Sequence, residues 1–254
     1  MTISTTRALA VAAALTLTAL GAVAPSYAGT QQRAGAMTGA PTIGTCSTMT
    51  AQQAAAHSDH STVVDCSQSH TAQVAGVVRL PKGLQWSEAS IARLFHVVVA
   101  GCLPQVHTTL GRNNATRDSS AYDYVWFEPT RAQRDAGARW LSCSVTRPKA
   151  ATLAALPTST VPFLPDGTLP DTVARCLTRE GYNTPCSAGH LWRATGTFTV
   201  SGTFPGPKAL NKKAIARCAS RVRAGKPYAW TYRDKVTWNV GGDHVVVCYS
   251  KTRA

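Results

Sequence analysis

Three sets of residues in this sequence have types and spacings that suit chemistry. Eight cysteines (Cys46, Cys66, Cys102, Cys143, Cys176, Cys186, Cys218 and Cys248) offer thiolates, metal ligands or cross-links. None lies in a Cys-x-x-Cys pair, so neither a redox pair nor a zinc ribbon is supported, and their even number reads as structural disulfides. Two stretches, Cys66-Ser67-Gln68-Ser69-His70 and Cys186-Ser187-Ala188-Gly189-His190, bring a nucleophile type near a histidine. A serine three positions before a histidine at a strand entry has no base geometry, and no third orienting residue recurs beside both. His70 and His190 are therefore expected to hydrogen-bond the backbone at a turn beside a disulfide. A third set, His57, Asp59 and His60 with Asp65 nearby, has divalent-metal ligand types. It lies in a Ser/Thr-rich polar stretch expected to be a mobile loop, so no metal site is expected.

Asp123 and Glu128 resemble a glycosidase pair in type only. Five positions apart on one strand, they point to opposite faces. Trp126, Trp140, Trp192, Trp230 and Trp238 are expected mostly in the core. The sequence thus predicts no enzyme site and no cofactor. The rival expectation is a wall-modifying hydrolase acting near His70 or His190 in a cleft between units, and a third is a purely structural spacer.

Compartment comes from the start of the chain. Met1 to Arg7 is polar with one positive charge, Ala8 to Ala24 is apolar, and Ser26 and Ala28 are the small residues a signal peptidase reads. A signal peptide over residues 1–28 and a secreted or envelope location are expected. The apolar run is shorter than the roughly 20 residues a bilayer span needs, and no later segment suits one, so no transmembrane segment is expected in the mature chain.

Charge divides unevenly. Residues 29–149 hold 11 Lys and Arg against 7 Asp and Glu, whereas residues 150–254 hold 14 against 5. Outside a cell such an excess favours a cell-wall polymer, an anionic membrane surface or an envelope protein over specific nucleic acid.

These residues need elements to position them. Residues 29–43 read as a flexible tether, 44–148 as a first unit, 149–170 as a Pro-rich linker and 171–254 as a related second unit. The halves match in order: an early Cys, the Cys-Ser-x-x-His, an alternating stretch (Ala72 to Leu80 and Trp192 to Val200), a helical Cys and a strand-borne Cys. Four cysteines in matching context indicate duplication. Each unit is read as strand, strand, helix, strand, strand, an α+β class with an antiparallel sheet packed on a helix. The first helix is expected from Ser87, with Ile91, Leu94, Phe95, Val98 and Cys102 on its inner face. The second is expected from Pro207, with Leu210, Ala214, Cys218 and Val222 inward. Its outward Lys208, Lys212, Lys213, Arg217 and Arg221, with Arg223, form a candidate anionic-ligand patch. Each helical Cys then meets its strand Cys beneath, giving expected pairs Cys46–Cys66, Cys102–Cys143, Cys176–Cys186 and Cys218–Cys248.

Over about Gly44 to Val145 the chain resembles the septum formation family of actinobacterial exported proteins. The resemblance rests on Cys46, on Cys66-Ser67-Gln68-Ser69-His70-Thr71-Ala72-Gln73-Val74, on Cys102, and on Pro129-Thr130, Gly137, Arg139 and Cys143. The second half keeps the cysteines and His190 but lacks the Pro-Thr segment. The resemblance implies a cell-division role at the septum.

Overall fold

The computed structural model describes residues 35–158, 161–165 and 167–252. The expected signal peptide and residues 29–34 of the expected tether lie outside the described residues.

The first half runs β1 (Cys46–Thr48), α1 (Ala51–Ala54), β2 (Thr62–Val64), β3 (Ala72–Arg79), α2 (Ile91–Gly101), α3 (Leu103–Leu110), α4 (Asn114–Asp118), β4 (Asp123–Phe127), α5 (Arg131–Asp135) and β5 (Trp140–Thr146). A small hairpin follows, β6 (Pro148–Lys149) with β7 (Thr152–Leu153). The second half runs β8 (Arg175–Leu177), β9 (Asn183–Pro185), β10 (Trp192–Thr199), α6 (Pro207–Cys218), β11 (Tyr228–Tyr232), α7 (Lys235–Gly241) and β12 (Val245–Lys251).

Two antiparallel five-stranded sheets result, ordered β2-β1-β3-β5-β4 and β9-β8-β10-β12-β11. Position for position the two orders are the same. Even the irregularities match: β3 slips register between Val74 and Gly76 against β5, and β10 slips between Ala194 and Gly196 against β12. The fold is α+β with two similar units. Each unit has one strand more than expected from sequence, because β2 and β9 are three-residue strands, too short to show a period of two.

The first helix also differs from its expected form. Ser90, not Ser87, caps it, its hydroxyl accepting the Arg93 amide, while Ser87 lies in a short 3-10 turn. Ile91 is therefore 53 % exposed, whereas Leu94, Val98 and Cys102 are buried. The helix ends at Gly101 and a second, α3, begins at Leu103 with Pro104 in its first turn, where a missing amide costs nothing. In α6, Pro207 takes the first position and Leu210, Ala214 and Cys218 are buried.

Each helix layer packs on one face of its sheet. In the first core Leu94, Val98, Val106 and Leu110 meet Leu141, Cys143 and Val145. Leu156, Phe163 and Leu164 of the connecting segment join that core. In the second, Leu210, Ala214 and Trp238 meet Val246 and Cys248. Residues 35–43 lie along the first sheet, where the Arg139 amide donates to Ala36 O and Trp140 Nε1 donates to Thr38 O at 2.8 Å.

The halves also pack on each other. An added Cβ at Gly241 of α7 would stand 2.6 Å from Leu103 Cδ2 and 3.2 Å from Val99 Cγ1, so glycine permits this close approach of α7 to α2 and α3. A β-bridge pairs Ser120 with Ala174, and the Ala121 amide donates to Val173 O at 2.7 Å.

Candidate functional site

The four disulfides are Cys46–Cys66, Cys102–Cys143, Cys176–Cys186 and Cys218–Cys248, and no described cysteine is free. The helix-to-sheet pair of each half has the same surroundings. Cys143 lies between Gly76 and Trp126 on its neighbouring strands, and Cys248 lies between Gly196 and Trp230. At Gly76 an added Cβ would be 2.9 Å from Gln105 Cδ and 3.0 Å from its Cβ, and at Gly196 it would be 3.1 Å from Arg221 Cβ. Absence of a side chain there lets the helix layer approach the sheet closely. Sequence reasoning passed over this glycine, although it follows the Cys of Cys-Ser-x-x-His by the same interval in both halves.

His70 is 1 % exposed, and its Nδ1–H donates to Gln68 O at 2.8 Å. Its Nε2 is buried without a partner among the described residues. His190 repeats the bond, Nδ1–H donating to Ala188 O at 2.7 Å. Both rings brace the turn that leads from the Cys to the long strand. Neither makes a hydrogen bond to a serine or cysteine among the described residues.

The other sequence candidates are dispersed. Asp59 and Asp65 accept the amides two residues on, from Ser61 and Ser67, each at 2.8 Å. His57 Nδ1 is 3.8 Å from Glu128, which Arg134 Nη1 also contacts at 2.9 Å. No group of three His, Cys, Asp or Glu suited to a metal ion occurs among the described residues. Asp123 stands at the far end of β4 from Glu128, beside the second half. Trp140 and Trp238 are buried; Trp126, Trp192 and Trp230 are half-buried.

The basic patch separates into two kinds of residue. Arg217 and Arg221 lie over the Phe198 ring at 5.1 and 5.5 Å, and they donate to Thr199 O and Thr197 O of β10, each at 3.1 Å. Arg217 fastens α6 to the sheet, and Arg221 fastens the turn that follows it, because the helix ends at Cys218 rather than running on through Val222. Lys208, Lys212, Lys213 and Arg223 are exposed and make no ion pair among the described residues. Arg223 also lines an open hollow with Lys226 and Lys251, two cations that helix periodicity did not reveal.

A buried charge cluster sits where the halves meet. Arg233, just before α7, contacts Asp118 through Nη2 and Asp243 through Nε, the latter at 3.2 Å. Burial, then the neighbouring Asp118 charge, raises Asp243 to about 6, against the pull of Arg233. Arg175 reaches the other way, Nε donating to Ser120 O at 2.7 Å and Nη2 to Tyr122 O at 3.2 Å.

A sequence model described as septum formation matches residues 44–248. This chain belongs to the septum formation family. The match spans both halves, including the second, which lacks the Pro-Thr pair. The structure accounts for the family residues of the first half. Thr130 caps α5 in a capping box with Gln133, Gly137 turns the chain at φ +93°, and Arg139 donates to Leu84 O at 2.5 Å. In the second half Asp234 replaces the threonine, its carboxylate accepting the Val236 and Thr237 amides. No curated protein and no solved structure matches the chain. No helix among the described residues is long and apolar enough to cross a membrane.

Proposed function

We propose that this member of the family is an exported, non-enzymatic envelope protein, linked to septum formation in cell division, that binds an anionic wall polymer through its second half. The observation that carries this reading is the outer face of α6, where Lys208, Lys212 and Lys213 project without acidic partners while Cys218–Cys248 and Arg217 over Phe198 hold the helix rigid. Cations on a fixed scaffold lose little freedom when a polyanion binds. Each cation near an anionic surface contributes about 1 kcal/mol. Export is supported by the leader pattern of residues 1–28 and by disulfides that need an oxidising compartment.

Charge reversal at Lys208, Lys212 and Lys213 together is expected to weaken envelope association at least tenfold while leaving the melting temperature within a few degrees of wild type. Undiminished association of that folded variant would remove the helix face from the account.

A further inference from the structure

A groove of about 200 Å³ runs between the two halves, and Asp118, Asp123, Arg175, Asn183, Thr231 and Arg233 are among the residues lining it. Its polar groups are only partly used. Arg175 spends Nε and Nη2 on Ser120 O and Tyr122 O, and Arg233 spends Nε and Nη2 on Asp243 and Asp118. The Nη1 group of each arginine has no hydrogen-bond partner among the described residues. On the acceptor side Asp123 commits Oδ1 to the Tyr124 amide at 2.9 Å and leaves Oδ2 without a hydrogen bond among the described residues. Asn183 gives its amide nitrogen to Ala121 O at 3.1 Å and leaves Oδ1 buried without a partner.

We propose that this groove binds a single sugar residue, or a polyol of that size, through spare guanidinium donors and spare carboxylate and amide acceptors supplied by both halves. Buried polar groups left unpaired are costly, so an occupant that pairs them is favoured. A hydroxyl both donates and accepts, and neighbouring hydroxyls on a ring present that pairing side by side. Carboxylates and guanidiniums are interspersed along the lining, so an ionic ligand of either sign would meet like charge. The volume lies below the roughly 300 Å³ at which drug-sized pockets begin, which suits one ring. The walls are already fixed, by the Ser120–Ala174 bridge and by Asn183 on Ala121 O, so little ordering accompanies binding. This site is distinct from the α6 face and does not depend on it.

The test is a titration of the mature protein with glucose, galactose and N-acetylglucosamine, followed by amide chemical shifts. At least one sugar is expected to bind with a Kd of about 1 mM or tighter, moving resonances of residues 118–123, 183 and 231. Asp123→Ala and Thr231→Val, each checked for wild-type circular dichroism, are expected to weaken it at least fivefold, while charge reversal at Lys208, Lys212 and Lys213 leaves it unchanged. The proposal is overturned if none of the three sugars shifts these residues at saturating concentration. It is equally overturned if both groove variants bind as wild type does, or if a dipeptide amide occupies the groove and the sugars do not.

Discussion

Asp243 is held where burial opposes its charge, and its titration reports directly on the joint between the halves. Its folded pKa of about 6 exceeds the ordinary 3.8. It therefore takes up a proton on folding within that window, so its contribution to stability falls as pH rises from about 4 to about 6. Two pKa units correspond to about 3 kcal/mol. His107 works the other way. Burial, with Arg117 and Arg233 beside it, lowers it to about 4, so its contribution rises with pH between about 4 and its ordinary 6.5. Comparison with Asp243→Asn cancels the histidine. Urea unfolding of both proteins is expected to show wild type losing on the order of 2 kcal/mol relative to the variant between pH 4 and pH 7, the remainder of the effect falling below pH 4. A difference that stays flat across that range would mean Asp243 is ordinarily ionised in the fold.

At the scale of elements, the recurring device is a helix stapled to a strand Cys that faces a glycine on one side and a tryptophan on the other. Gly76→Ala places a methyl carbon 2.9 Å from Gln105 Cδ, too close without movement of α3. Overpacking of this kind costs about 1–3 kcal/mol, and denaturant unfolding should register it. A variant as stable as wild type would show that the layers are less tightly spaced than the contacts imply. Much of this layer was legible beforehand. The alternating runs from Ala72 and Trp192 are β3 and β10, Pro207 opens α6, and Leu210, Ala214 and Cys218 lie on one buried face. The first helix was less legible, because one apolar periodicity runs on past Gly101 while the chain breaks into α2 and α3 at Cys102. Arg217 and Arg221 read as outward by helical angle. Their long side chains nevertheless fold back over Phe198, a reach that periodicity does not encode.

At the largest scale the described residues form two copies of one sheet order joined by a buried face rather than by sequence-local contacts. Duplication was visible in the cysteine spacing, but the joint was not. Asp118 and Asp243 are far apart in the chain, and each is an unremarkable acid in its own neighbourhood; only the packing of α4 beside β12 brings both to Arg233. The groove has the same origin, since its lining is drawn from both halves. Duplication also left the charge unequal, with the exposed lysines on α6 and no comparable run on α2. That asymmetry makes binding of a polyanion by the second half the central claim. Its most direct test is sedimentation of the mature protein with isolated cell envelopes across a salt series. Binding should fall steeply as salt rises, because cations on the protein displace counterions from the polymer. The Lys208, Lys212 and Lys213 charge-reversal variant should stay in the supernatant throughout. Association indifferent to salt, and equal for the two proteins, would contradict the account.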